Sequence, residues 1–296
     1  MSEVTKLIID LGNSNVKTNL GVQFSSQVVQ TSVNNVDFSD AIIYEDKCYA
    51  IGQGQYDNNN IKSDKKYVEQ LVLYAIACCT KSEETDIFLH LPVNQLTMKP
   101  NLIQRLQDKS FNFKVNSHSY GIPLQERTVK IGKVGVVAEA VASYYSLGDE
   151  VTEFIVMLDI GSKTINYATY TQIGENDLEK SGTLDFGIHQ FYEDVISYYK
   201  EEKHKTYTLS DINKRVISKK IDIPQFLSEN FVDRIKNALR GKGFMDFDDY
   251  SIKCVGGGSL VLEESLKTGF SDAIVLSDAV NRNVMGSELI LEALGD

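Results

Sequence analysis

Apolar residues follow two rhythms along the 296-residue chain. Over the first fifty residues short apolar runs (7–9, 16–20, 27–29, 41–44 and 48–51) alternate with polar turns, which predicts an antiparallel meander of strands. After a polar, glycine-bearing loop over 52–60, Val68, Leu71, Val72, Ala75, Ile76 and Cys79 recur at helical spacing and predict an amphipathic helix. A strand over 86–91 ends at Pro92, a polar helix runs through Ile103 and Leu106, and residues 111–115 and 127–133 read as two further strands. A helix containing Glu139 is expected over 135–147. The second half repeats the plan, with strand, turn and strand across 154–170 and a third strand over 178–184. Helices follow over 187–199, 209–217 and 226–239. A strand over 251–255 runs into Gly256-Gly257-Gly258, and a strand over 273–276 and a helix over 281–294 close the chain. The expected boundary lies near 148–152, giving one domain over 1–150, with the C-terminal helix 283–296 packing back on it, and a second over 151–282.

Two places in this pattern carry chemistry. Asp10-Leu11-Gly12-Asn13-Ser14-Asn15-Val16-Lys17 follows the apolar run Leu7-Ile8-Ile9, and Asp159-Ile160-Gly161-Ser162-Lys163-Thr164 follows another over 154–158. A buried strand entering a tight polar turn offers backbone N–H groups, hydroxyls and amides from one loop. Such a turn can cradle a phosphate, with an acidic residue at its base where a hydrated Mg2+ can sit. An isolated Asp after a strand commonly serves its own turn. Two of them, each followed by x-Gly-polar, shift the balance towards Mg2+ and phosphate. Lys17 can reach phosphate oxygens or stand in solvent as an ordinary surface lysine, and Lys163 has the same two readings.

Glu139 sits among small and apolar neighbours, either as a solvated carboxylate of an amphipathic helix or as a group that orients or deprotonates a water attacking a γ-phosphate. Gly256-Gly257-Gly258-Ser259, between a strand and a helix, is a tight turn. Its bare backbone also allows close approach of a ring or ribose, with helix N–H groups towards phosphate. The four histidines match no triad or metal spacing and read as structural.

Composition narrows the partners. Lys+Arg 30 against Asp+Glu 41 gives a net charge of −11, spread along the chain, which repels duplex phosphates and argues against direct DNA binding. Cys48, Cys78, Cys79 and Cys254 show no zinc-ligand spacing and fit small buried residues in a reducing compartment. With 42% hydrophobic residues the chain can bury two cores, while no apolar run reaches membrane-spanning length and no signal-peptide pattern opens it. The expectation is a cytoplasmic protein without a membrane partner.

These elements, in this order, resemble the superfamily of actins, heat-shock chaperone ATPases and sugar kinases. The implied fold is α/β, the actin-like ATPase (ribonuclease H-like) fold, with two related lobes around a nucleotide cleft. Asp10–Lys17 looks like its first phosphate loop, Asp159–Thr164 its second and Gly256–Ser259 its adenosine loop. Residues 135–145 and 281–291 look like its two connecting helices. Within the superfamily the chain is most similar to the plasmid-segregation actins of the ParM/StbA group. The similarity rests on residues 51–58 with the following helix, on Leu89–Gln95 with its strand-ending "GLP"-like turn, on Val137-Ala138-Glu139-Ala140 and on Asn283-Val284-Met285-Gly286.

The resemblance implies an ATPase or GTPase that forms helical filaments with nucleotide bound, linked to centromere-like plasmid DNA by a DNA-binding adaptor. It implies Mg2+ and ATP (or GTP) as cofactors, with the metal water-linked to Asp10 and Asp159 and Glu139 as the catalytic glutamate. The implied nucleotide-binding residues are Gly12, Asn13, Ser14, Asn15, Lys17, Gly161, Ser162, Lys163, Thr164, Gly187, Gly256, Gly257, Gly258 and Ser259. A short polar segment around 209–220 stands where the group carries a fourth subdomain, so that subdomain is expected to be reduced, as in AlfA-like members. The first turn also resembles that of type III pantothenate kinases, which share the fold, so a small-molecule kinase is the alternative. That family's GxDR-type segment and second-loop pattern are missing here.

Overall fold

The structure is a computed structural model. It describes residues 4–32, 39–57, 59, 61–148, 153–172, 174–271 and 273–294. In chain order its first part holds β1 (Thr5–Leu11), β2 (Asn15–Thr18), β3 (Gln23–Ser25), β4 (Val28–Ser32), β5 (Asp40–Tyr44), β6 (Lys47–Ile51), α1 (Val68–Cys79), β7 (Glu84–Leu91), α2 (Lys99–Leu106), β8 (Lys109–Ser117) and β9 (Ile122–Ala138). Then come α3 (Val141–Tyr145), β10 (Ile155–Ile160), β11 (Ile165–Tyr170), β12 (Asn176–Leu184), α4 (Ile188–Glu202), α5 (Leu209–Ile217) and α6 (Gln225–Arg240). The chain continues through β13 (Ser251–Val255), α7 (Gly257–Val261), α8 (Glu263–Gly269), β14 (Ile274–Val275) and α9 (Arg282–Ala293). Among the described residues no helix is long and apolar enough to cross a membrane.

The chain divides into two units, one running through Ala138 and resuming at Asn283, the other spanning Glu139–Arg282. The division therefore falls at the end of β9, and the expected boundary residues 149–152 lie outside the described residues.

The first unit is built on a nine-stranded sheet of order β3-β2-β1-β7-β9-β8-β5-β6-β4. Both faces of β1 are buried, and alternation sends them different ways. Leu7, Ile9 and Leu11 join the core that includes Val72 and Ile76 of α1. Ile8 packs with Val284 and Leu291 of α9, and Asp10 shares the Ile8 face. Only β1–β3 form the expected meander. Strands β4–β6 lie at the far end of the sheet, where β6 pairs with β4 and β5 and β5 pairs with β8. Alternating hydrophobicity marks strands but leaves their long-range pairing open.

The second unit has a five-stranded sheet of order β12-β11-β10-β13-β14. Its plan repeats that of β3-β2-β1-β7-β9. In each, three antiparallel strands are followed by two parallel additions on the free side of the first strand. Val156, Leu158 and Ile160 of β10 face the core shared with α4 and α6, while Ile155 and Met157 pack with Ala140 and Val255. Asp159 shares this second face by alternation. Between β12 and β13 the chain is helical, and Ile212 of α5 is buried in the same core as Tyr199 of α4.

The helix expected over 135–147, which was to be a connecting helix, is corrected. Residues 135–138 continue β9, paired in parallel with Phe88–Leu91 of β7, and Glu139 lies in the turn that follows. Helical structure is confined to Val141–Tyr145. Val134, Val136 and Val137 are β-branched and favour an extended chain, and β7 offers them a ladder. Ala140 turns the chain with φ 64°.

Candidate functional site

In the first unit Gly12–Asn15 make the turn between β1 and β2, whose register sets Asp10 opposite Lys17. A Cβ at Gly12 would collide with the Asn15 carbonyl, so the tightness of the turn requires glycine. Ser26 pins it, its hydroxyl donating to the Asn13 carbonyl at 2.6 Å and its N–H to the Ser14 carbonyl at 2.9 Å. Because a trans peptide sets its N–H opposite its C=O, the N–H groups of Ser14 and Asn15 are turned away from Ser26.

Asp10 is buried, with Lys17 Nζ 3.2 Å from Oδ2, Lys62 Nζ 3.7 Å from Oδ1 and His90 Nδ1 3.9 Å from Oδ1. Burial pushes its carboxyl up, but Lys17, Lys62 and His90 together outweigh burial and hold it well below the usual carboxylate range. At an effective dielectric of about 20, a unit charge at such a distance contributes about 4–5 kcal/mol, so several partners offset the loss of water. His90 is fixed from its other side by Ser287 of α9, with Nε2 and Oγ 2.7 Å apart.

In the second unit Gly161–Thr164 make the matching turn, closed by Gly161 N–H donating to the Thr164 carbonyl at 3.0 Å. Here the first N–H groups of α4 take the place of Ser26. Ile188 donates to the Gly161 carbonyl at 3.0 Å and His189 to the Ser162 carbonyl at 2.9 Å, which turns the N–H groups of Ser162 and Lys163 the other way. This contact explains Gly187, because a Cβ there would stand 2.6 Å from the Gly161 carbonyl and 2.8 Å from Ser162. The His189 side chain is buried, and burial together with Lys163 lowers its imidazole to about 4.

Asp159 occupies in β10 the place of Asp10 in β1. It stands opposite Asn166 in β11, and Asn166 stands opposite Thr183 in β12. Asn166 Nδ2 donates to Glu139 Oε2 at 2.5 Å, and Thr183 Oγ1 donates to Asn166 Oδ1 at 2.8 Å. Glu139, Asp159, Asn166 and Thr183 are all buried. The hydroxyl thus sets the amide, and the amide sets the carboxylate.

Gly256 adopts φ 84° and ψ 163°, and a Cβ on it would collide with Asp159 Oδ1 and stand 2.6 Å from the Ile160 carbonyl. A Cβ on Gly258 would press on Ile160, whereas one on Gly257 would meet nothing within 4 Å. Gly256 and Gly258 therefore serve the packing of β10, and only Gly257 is open on its outer side. Ser259 is buried, its hydroxyl donating to the Gly256 carbonyl at 2.7 Å.

Within each unit, then, the residues expected from the sequence come together. Lys62, His90 and Asn166 were missed. Asn166 was within reach, because it stands seven residues after Asp159 as Lys17 stands seven after Asp10. His90, read as structural, is a polar residue between Leu89 and Leu91 in an apolar strand. No local signal marks Lys62.

Among the described residues no group of three or more His, Cys, Asp or Glu side chains forms a metal cage. A single buried carboxylate at the base of an N–H-lined turn suits Mg2+, which is commonly held through one or two carboxylates, with water and phosphate completing its shell. Asp10 and Asp159 both fit that description.

No protein-family model matches the chain, and no curated protein matches it by sequence. Solved structures do. The archaeal actin homolog Ta0583, in complex with ADP, superposes with a TM-score of 0.81 at 14% identity, covering 98% of this chain and 100% of that one. ParM from a 15-stranded filament of Clostridium botulinum gives 0.80 at 18% identity, covering 99% of both chains. The actin-like protein Alp7A gives 0.77 at 14% identity, covering 99% of this chain and 97% of that one. The likeness is end to end, and it speaks for the architecture. The chain has the actin-like fold.

Proposed function

We propose that this chain binds and hydrolyses Mg-ATP or Mg-GTP and assembles with copies of itself into filaments that serve plasmid DNA segregation. The observation that carries the reading is the buried row Asp159–Asn166–Thr183 with Glu139 held by Asn166 at 2.5 Å, beside a turn backed by α4. A buried, tethered carboxylate next to a second carboxylate and a phosphate-type turn is suited to hydrolysis of a phosphoanhydride.

In this reading the turns Gly12–Asn15 and Gly161–Thr164 present N–H groups to phosphates, and Lys17 neutralises phosphate charge. Asp10 in the first unit and Asp159 in the second are the carboxylates that would hold Mg2+ through water, and the ion when bound would neutralise phosphate oxygens. Glu139 orients the attacking water, and Asn166 keeps Glu139 in place. Gly257 leaves room for the nucleoside. The similar proteins support the choice of nucleotide and filament, since one was solved with ADP and another as a filament. The net charge of −11 favours a basic, DNA-binding adaptor over direct contact with DNA.

The test is light scattering with phosphate release after addition of Mg-ATP or Mg-GTP, with the diphosphates as controls. A triphosphate-dependent rise that decays as phosphate appears is the expected result. A flat trace over a wide range of protein and salt concentration would sink the filament reading and bring a small-molecule kinase, with pantothenate as first acceptor, to the front.

A further inference from the structure

The acidic charge expected along the whole chain is interrupted at one corner of the second unit. Residues 203–220 hold six Lys and Arg against one Asp, a charge of +5, and the other 24 basic and 40 acidic residues leave −16 for the rest. Lys203, Lys205, Lys214, Arg215, Lys219 and Lys220 are all exposed. They come as three pairs, which the fold draws together. The N–H groups of Lys203 and Lys205 both donate to the Tyr199 carbonyl near the end of α4, at 3.2 and 3.0 Å. The Tyr199 ring meets Tyr207 edge to face at 5.7 Å, and Arg215 of α5 lies over the Tyr207 ring at 4.8 Å. Lys220 N–H donates to the Arg215 carbonyl at 2.7 Å, folding the third pair back on the end of α5. Ile212 anchors α5 in the same core as Tyr199.

Local structure accounts for only part of this charge. The helix dipole favours Lys214 and Arg215 in the last turn of α5, but it gives no reason for Lys203 and Lys205. The one acid is already engaged, since Asp211 caps α5 by accepting from Thr208 N–H at 3.1 Å and from its hydroxyl at 2.7 Å. Among the described residues none of the six cations is in an ion pair. We infer that this corner binds the phosphate backbone of duplex DNA without reading its sequence. Salt screens charge beyond about 8 Å, whereas α5 with its 9 residues is about 13 Å long, so the corner acts through its own charge rather than through the net charge of the chain. Duplex DNA carries a charge about every 1.7 Å and releases condensed counterions to each cation it meets. Exposed ion pairs between proteins contribute little by comparison, so the polyanion is a better match than an acidic face of a second copy. The rest of the chain still repels DNA, which keeps the contact weak and confined to the corner. Choice of sequence is left to the adaptor, and the contact stands independently of the nucleotide reading.

The test titrates the full chain, without nucleotide, into two fluorescent duplexes of unrelated sequence and follows anisotropy over a range of salt. Both duplexes should bind alike, with log K falling against log salt at a slope of about −2 to −4, the release expected for two to four phosphate contacts. The double variants Lys203→Gln/Lys205→Gln and Lys219→Gln/Lys220→Gln, all at exposed positions, should each weaken binding about tenfold at low salt and flatten the slope by about 2. The control Lys109→Gln/Lys133→Gln removes the same charge from exposed sites of the first unit and should change neither quantity. A wild-type chain that binds no duplex at low salt overturns the inference, as do corner variants with wild-type affinity or a control that loses as much as they do. Sedimentation run alongside detects the competing occupant. Self-association lost in the same corner variants, with no DNA bound, would assign the corner to a second copy and refute the DNA contact.

Discussion

Gly256 and Gly257 are adjacent, yet their surroundings are opposite, and alanine at each tests packing and the proposed binding separately. Gly256→Ala forces a side chain into φ 84°, ψ 163°, a region that costs about 1–3 kcal/mol for any residue with a Cβ. The new methyl would also collide with Asp159 Oδ1 and the Ile160 carbonyl, and overpacking of that kind costs about 1–3 kcal/mol more. A loss of about 2–6 kcal/mol is expected, falling on the second unit. Gly257→Ala meets nothing within 4 Å and lies at the first position of α7, so it should be neutral or stabilise by about 0.4–1 kcal/mol through the unfolded state. If Gly257 is the place of closest approach of a nucleoside, its alanine variant should lose about tenfold or more in nucleotide affinity while keeping full stability. Urea unfolding followed by circular dichroism suits a chain without tryptophan, and a fluorescent nucleotide reports binding. The steric reasoning fails if Gly256→Ala unfolds with wild-type stability. The binding role of the turn fails if Gly257→Ala holds nucleotide as tightly as wild type.

Glu139→Ala should leave nucleotide binding and assembly intact, slow phosphate release by about 10²–10⁴-fold and prolong the life of filaments; hydrolysis at the wild-type rate would exclude the role. Asn166→Ala frees Glu139 from its 2.5 Å tether, so hydrolysis should fall by about tenfold or more with nucleotide affinity little changed, and unaltered turnover in a folded variant would remove Asn166 from the mechanism. Asp159→Ala should weaken Mg-nucleotide binding, and unchanged affinity would end its metal role. The His189 imidazole, held at about 4 against about 6.5 unfolded, binds fewer protons folded than unfolded between those values. Its contribution is complete above pH 6.5 and lost as pH falls towards 4, at most about 3 kcal/mol, so His189→Gln should flatten acid destabilisation of the second unit over that window. An equally steep loss in His189→Gln would refute it.

The parts of the site that were legible in the sequence are those whose determinants are local. Asp10 and Asp159 announce themselves because an apolar run, an acid and a glycine turn lie within ten residues. The glycine run after 251–255 is equally local. The sequence places Glu139 on a helix, since the stretch of small and apolar residues around it has no period, whereas pairing with β7, 47 residues earlier in register, makes residues 135–138 extended. Lys62 and His90 could not be read, because only the order of strands in the nine-stranded sheet and the backbone ties to Gln95 and Arg105 bring them to Asp10. Pairing of β6 with β4 and of β5 with β8 is likewise a product of whole-sheet packing.

The register that pairs Asp10 with Lys17 pairs Asp159 with Asn166, so one architectural slot holds a fixed charge in one unit and a neutral amide in the other. A cation beside Glu139 would clamp the carboxylate in an ion pair and blunt it as a partner for water. An amide beside Asp10 would leave that buried anion short of compensation. Under the proposed function, this single cross-strand position would set the two copies of the frame apart, one suited to electrostatic capture and the other to chemistry. Exchanging the two side chains would be expected to damage both halves, since a lysine in place of Asn166 would be buried.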